Sequence, residues 1–202
     1  MKRVLEQKER KNDGLMVGRF KVIQTEIAGL VILERIVMED KRGAFSRLFD
    51  AEEFRNAGMA NQILQINHSI TRIKGTARGL HYQHPPYAEL KVVTCLKGTV
   101  YDVAVDLRHG SRTFLSWHGE FLSETNKKSI IIPRGFAHGF QTMTNDSELL
   151  YLHDACYAPE AEGGFHIEDK RIGIKWPLPI SMVSERDMKL PTIKDGYEGI
   201  KT

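Results

Sequence analysis

Between residues 30 and 157 the chain is cut into short apolar runs, each closed by a turn signal, and this limits the folds open to it. Runs over 30–38, 44–49, 62–71, 78–83, 91–96, 100–107, 114–122, 129–132, 137–143 and 148–157 carry much of the Val, Ile, Leu and Phe. Lys97-Gly98, His109-Gly110, Pro133-Arg134-Gly135 and Asn145-Asp146 stand between them. β-Branched and aromatic side chains suit a pleated surface, and Gly, Pro, Asn and Asp supply turn backbone. A short helix is predicted over 51–57, with Asp50 placed to accept from its first free N–H groups. Nothing alternates strand with helix as a parallel α/β fold requires. The predicted class is all-β, a sandwich or barrel with a few short helices.

A chain of 202 residues, 41% hydrophobic and 27% charged, can bury a core without disulfide staples. Its two cysteines, Cys95 and Cys156, are expected to be core thiols of a cytoplasmic protein. No apolar run approaches the roughly 18 residues that would span a bilayer, and the N-terminus lacks the apolar centre of a secretion signal. Neither a membrane nor export is expected. Residues 1–13 hold five basic and three acidic groups, which leaves only +1 of the net +3 for the remainder. A nucleic-acid binder concentrates basic charge on its folded body, so no nucleic-acid partner is expected. Residues 1–18 read as a polar N-terminal extension and 19–202 as a single β-barrel domain. The proline-punctuated stretch from Pro177 is expected to wrap over the barrel.

Chemistry-bearing side chains are densest in Arg78-Gly79-Leu80-His81-Tyr82-Gln83-His84. Arg78 and His81 face opposite ways in a regular strand, and a bulge at Gly79 would bring both inward. Glu89, Lys91, Val93 and Cys95 share one strand face. Pro133-Arg134-Gly135-Phe136-Ala137-His138-Gly139-Phe140 sets His138 among small and aromatic neighbours, and Tyr151 follows Leu149-Leu150. Each has an ordinary structural reading. Lys91 would guard a sheet edge, Tyr151 would be core, His138 would pack beside Phe136 and Phe140, and Arg42-Gly43 would be a turn. Three site chemistries compete. His81, His84, Glu89 and His138 are metal-ligand types, but His81 and His84 do not share a face. Cys95 and Cys156 would make a thiol acid–base pair, without a setting that ionises either. His81 and Tyr151 would act as general base and acid beside the Lys91 cation.

With these motifs in view, the chain resembles the dTDP-4-dehydrorhamnose 3,5-epimerase family of deoxysugar nucleotide epimerases from about residue 20 to residue 191. Arg42-Gly43-Ala44-Phe45, Gln65-Ile66-Asn67-His68-Ser69, Arg78-Gly79-Leu80-His81-Tyr82-Gln83, Asp102-Val103-Ala104-Val105-Asp106-Leu107-Arg108, Ile132 to Phe140 and Gly173-Ile174-Lys175-Trp176-Pro177 carry the resemblance. It implies a double-stranded β-helix, a cupin-like jelly-roll barrel, forming a homodimer and using no metal or other cofactor. It implies that His81 abstracts a proton and Asp187 orients it, that Lys91 meets the C4 oxygen of the sugar, and that Tyr151 returns a proton. Arg42, Gln65, Asn67, Arg78, His138, Glu162 and Arg186 would contact the substrate, with Tyr157 the aromatic near the sugar. The implied reaction is epimerisation of a nucleotide-linked 4-keto-6-deoxysugar at C3, C5 or both through an enolate. Two departures, Arg47 for a glutamate and Arg186 for a lysine, leave dTDP, CDP and GDP open as the nucleotide. The alternatives are a non-catalytic sugar-nucleotide-binding barrel and a metal-dependent cupin enzyme.

Overall fold

The structure is a computed structural model that describes residues 14–59 and 61–202. Its strands form two facing antiparallel sheets and a hairpin. The larger sheet runs β1 (Leu15–Val17), β2 (Phe20–Gln24), β3 (Val31–Arg35), β11 (Lys128–Ile132), β8 (Lys91–Lys97), β13 (Ser147–His153) and β6 (Gln65–Thr71) in that order. The smaller runs β10 (Trp117–Ser123), β9 (Thr99–Asp106), β12 (Phe136–Thr142), β7 (Ala77–Gln83) and β14 (Glu162–Gly164). The hairpin pairs β4 (Val37–Asp40) with β5 (Gly43–Ser46). This is an all-β fold, as the runs predict, and the jelly-roll barrel that the resemblance implies. Among the described residues no helix is long and apolar enough to cross a membrane.

The strands are apolar without strict alternation because both faces of both sheets are covered. Val93, Cys95, Val100, Ala104, Ile130, Ile132, Phe140 and Leu149 meet between the sheets. Val92, Ile131, Leu33 and Leu152, of the opposite parity, face out of the larger sheet and pack with Phe54 of helix α1 (Ala51–Asn56). Leu80, Val103, Val105 and Ala137 face out of the smaller sheet beneath Phe165, Ile172, Ile193 and Ile200. Each large side chain so buried contributes roughly 1.5–3 kcal/mol. The α1 helix starts where expected: the Asp50 carboxylate accepts from the Glu52 and Glu53 backbone N–H groups.

Three expectations are corrected. The run over 30–38 is two strands, with Ile36 between β3 in the main sheet and β4 in the hairpin. The run over 148–157 ends at His153, because the buried Asp154 carboxylate turns the chain by accepting from Leu90 N at 2.7 Å, Asn61 at 2.8 Å and Arg134 at 3.0 Å. Cys156, beyond that turn, is exposed rather than core, while Cys95 is buried. The sheet also takes in Leu15–Val17, from the stretch read as an extension; residues 1–13 of that stretch lie outside the described residues. The segment after Pro177 does lie along the barrel. Gln141 holds Leu178 through both backbone groups, and Ala77 N donates to Met182 O at 2.9 Å.

The β7–β12 ladder carries the irregularity expected at Gly79. His138 pairs with His81 and Phe140 with Arg78, so three steps along β7 match two along β12. That extra residue turns Arg78 to the same side as His81. A Cβ on Gly79, whose φ is +115°, would sit 2.6 Å from both Gly139 Cα and His138 O, backbone atoms that cannot swing away. Gly79→Ala is therefore expected to cost roughly 2–4 kcal/mol in urea unfolding. Gly43→Ala, at φ +129° with nothing within 4 Å, is the control and should lose only the backbone-strain part. Equal losses in the two variants would show that the close approach of β7 and β12 costs nothing.

Candidate active site

A cavity of about 520 Å³ lies between the sheets, walled on one side by Arg78 and His81 of β7 and His138 of β12. Facing them are Lys91 of β8, Tyr151 and His153 of β13, and Asn67 and Ser69 of β6. The segment from Met182 to Asp187 supplies the rest of the wall.

His81 reaches its partner across 106 residues of sequence: Nε2 lies 2.7 Å from Asp187 Oδ1. Asp187 sits in a short helix, α2 (Glu185–Met188), where the Ser184 hydroxyl accepts from Asp187 N at 3.0 Å. Its second oxygen accepts from Gly79 N at 3.2 Å, which ties the carboxylate to the bulge. Burial alone would raise this carboxyl. The bond from His81, with that from Gly79 N, outweighs burial and holds Asp187 below the usual carboxylate range. An ionised carboxylate only accepts, so Nε2 of His81 carries the proton and Nδ1 keeps its lone pair.

On the other sheet, Lys91 Nζ lies 2.6 Å from Glu89 Oε1, and Glu89 Oε2 lies 2.7 Å from His153 Nδ1. Lys91 guards no edge, since β8 runs between β11 and β13. Burial pushes the Glu89 carboxyl up, but the bonds from His153 and Lys91 prevail and bring it from 4.5 to about 2. The Tyr151 hydroxyl meets Ser69 Oγ at 3.1 Å, and burial drives the phenol well above its usual value, so it is protonated at neutral pH. His138 is not simply packed beside phenylalanines. Its Nε2 is 2.9 Å from the fully buried Asp102, whose other oxygen has no hydrogen-bond partner among the described residues.

The remaining expected contacts divide. Gln65, Tyr157, Glu162 and Arg186 form a bonded chain at the rim. Tyr157 N donates to Gln65 at 3.0 Å, Tyr157 Oη donates to Glu162 at 2.7 Å, and Arg186 pairs with Glu162. Gln65 in turn accepts nothing from Asn67 but donates to it at 3.2 Å. Of Gln65, Asn67, Tyr157, Glu162 and Arg186, Asn67 and Arg186 line the cavity itself. Arg42 does not: it sits at the tip of the β4–β5 hairpin, its side chain 90% exposed and paired with Asp40. Arg47 is also elsewhere, bonded to Asp50 and Glu53 at α1. Neither Cys95 nor Cys156 lines the cavity, and burial raises the Cys95 thiol to about 11. Among the described residues no three His, Cys, Asp or Glu side chains are grouped to hold a metal ion. Reasoning from sequence missed His153, Ser69 and the pairing of Asp102 with His138. Parity would have put His153 on the face of Tyr151.

An imidazole with a free lone pair and a protonated phenol on facing sheets are the groups an isomerase of the epimerase class needs, one to take a proton from one side of a carbon and one to return it to the other. The comparisons agree. The family model for dTDP-4-dehydrorhamnose 3,5-epimerase matches residues 24–195, and the chain belongs to that family. It is 43% identical to the dTDP-4-dehydrorhamnose 3,5-epimerase of Shigella flexneri over 168 residues, 83% of this chain and 92% of that one. Its fold superposes with a TM-score of 0.84 on the Legionella pneumophila dTDP-6-deoxy-D-glucose-3,5-epimerase in complex with dTDP-4-keto-L-rhamnose, at 36% identity over 91% of this chain and 98% of that one. A 3′-monoepimerase from Streptomyces bikiniensis in complex with dTDP-quinovose gives 0.78 at 32% identity, covering 83% and 85%.

The depressed Glu89 carboxyl has a consequence for stability. Its folded value, about 2, lies below its ordinary 4.5, so the stabilisation it brings is complete above pH 4.5 and is lost as the pH falls towards 2. Its size is roughly 3 kcal/mol. Glu89→Gln is expected to flatten the fall in unfolding free energy between pH 5 and pH 2 by that amount, measured by urea titration at each pH. Parallel curves for the two proteins would mean that Glu89 is not held ionised by its neighbours.

Proposed function

We propose that this chain epimerises a dTDP-linked 4-keto-6-deoxysugar at C3 and C5. What carries the reading is the His81–Asp187 pair on one sheet facing the protonated Tyr151 on the other. The C4 carbonyl makes the neighbouring C–H bonds acidic, because the carbanion they leave is an enolate. Neutral His81 takes such a proton on Nδ1, and Asp187 stabilises the imidazolium through Nε2–H. Lys91 donates to the enolate oxygen. Tyr151 gives its proton to the opposite face, and its raised pKa makes the phenoxide quick to recover one. Arg78 and Arg186 at the cavity suit a diphosphate. The relatives support dTDP and both carbons, since the more similar ones are named as 3,5-epimerases.

A homodimer fits the surface. Leu64, Ile66 and Ile70 lie exposed along edge strand β6 and just before it, and Met38 and Phe45 lie exposed on the hairpin. Within one chain Arg42 stays outside the cavity, so its contact with substrate is proposed to come from the second copy. Two unpaired cysteines suit the cytoplasm. Light scattering is expected to give twice the 23.0 kDa chain mass, and a monomer at micromolar concentration would remove the dimer.

Proton NMR of dTDP-4-keto-6-deoxyglucose in heavy water tests the chemistry. Wild type should take up deuterium at C3 and C5. His81→Ala should lose exchange at both by about 10²–10⁴. Tyr151→Phe should keep exchange and lose inversion, because His81 then returns deuterium to the face it came from. No exchange by the wild type would leave a sugar-nucleotide-binding barrel and overturn the reading. An unchanged ratio of exchange to inversion in Tyr151→Phe would remove Tyr151 from the proton path.

A further inference from the structure

Two buried groups beside Lys91 have no place in the proton path just described. Glu89 and His153 have side chains only 11% and 9% exposed, and Lys91 is 8% exposed. Lys91 and His153 are cross-strand neighbours in the β8–β13 register. Glu89 bridges them, one carboxylate oxygen 2.6 Å from Lys91 Nζ and the other 2.7 Å from His153 Nδ1. Because the carboxylate is ionised and can only accept, His153 carries a proton on Nδ1 and turns Nε2 towards Asn67, whose Nδ2 is 3.5 Å away. The ammonium of Lys91 has three N–H donors. One is taken by Glu89, and the others remain for the cavity that Lys91 lines. A lysine chain without such a tether spreads its charge over many rotamers.

We propose that Glu89 and His153 are positioning residues: the Nδ1–H of His153 clamps Glu89, and Glu89 aims the Lys91 ammonium at the carbonyl oxygen of the substrate. The inference rests on the reading of Lys91 as the enolate's partner. C3 and C5 share that one carbonyl, so the clamp acts equally on both deprotonations. The choice of face belongs to His81 and Tyr151 and is untouched by it. The rival role is mechanical. His153 stacks on Tyr151 at 6.1 Å and 20°, and would then support the phenol ring instead.

Two substitutions separate these roles. His153→Phe keeps a flat ring against Tyr151 and removes the donor to Glu89. His153→Asn removes the ring and keeps an N–H donor. Deuterium uptake at each carbon, the ratio of exchange to inversion, and KM are measured with dTDP-4-keto-6-deoxyglucose in heavy water. His153→Phe is expected to slow uptake at both carbons by the same factor, about tenfold to a hundredfold, with KM and the ratio unchanged. His153→Asn is expected to recover to within about threefold of wild type. Wild-type exchange in His153→Phe, equal loss in both variants, or a changed ratio would each overturn the clamp, the last by pointing to Tyr151. If His153→Phe does not fold, Glu89→Gln is measured in the same way. It leaves Lys91 an oxygen acceptor but withdraws the charge, and the same uniform loss is expected; wild-type rates would again overturn the proposal. Wild type run alongside keeps the two ideas apart. Its failure to exchange counts against the epimerase reading, whereas an active wild type with unaffected variants counts against the clamp alone.

Discussion

Charge buried between two sheets must bring its partner with it, and the cavity wall is arranged around that constraint. An ionised group moved out of water without compensation costs several kcal/mol or changes protonation state. Here His81 is tied to Asp187, Lys91 to Glu89 and through it to His153, and His138 to Asp102. The same pairing that makes burial tolerable also settles which nitrogen of His81 is basic and where the ammonium of Lys91 points. Taking away one member of such a pair leaves the other buried and uncompensated, typically at a cost of about 3–5 kcal/mol. Preorganisation and stability are thus not in competition at this wall, because one set of bonds supplies both.

The strands were legible because their cause is local. Residues such as Val92, Val93, Ile130, Ile131 and Ile132 are buried whichever way they point, and a run of them between turn residues admits little else. Parity along a strand was equally readable, which is why Lys91 could be grouped on one face with Glu89, Val93 and Cys95 and a bulge at Gly79 anticipated. What parity cannot supply is register between strands. Nothing in the sequence around Lys91 says that His153 will lie beside it, and the Glu89 bridge follows only from the β8–β13 ladder. Asp187 was available through the resemblance alone, since its pairing with His81 spans 106 residues of sequence. The run ending at 157 was overextended because Asp154 stops it through bonds to Leu90, Asn61 and Arg134, three partners from distant parts of the chain. Cys156 was misplaced for the same reason. Arg42 shows the limit of carrying a role over by motif, since a residue can match a pattern and still lie outside its own chain's cavity.

The position of Asp187 sets an order of events during synthesis. The fourteen strands of the described residues are complete by Gly164, and the segment that carries Asp187 follows them. The strand that carries His81 is therefore made well before the group that fixes the tautomer of His81. A barrel clipped before Ser184 would keep Arg78 and His81 in the wall but lose Arg186 and Asp187, leaving an imidazole free to carry its proton on either nitrogen. The wall thus takes its last carboxylate from α2, a short helix that follows every described strand in the sequence.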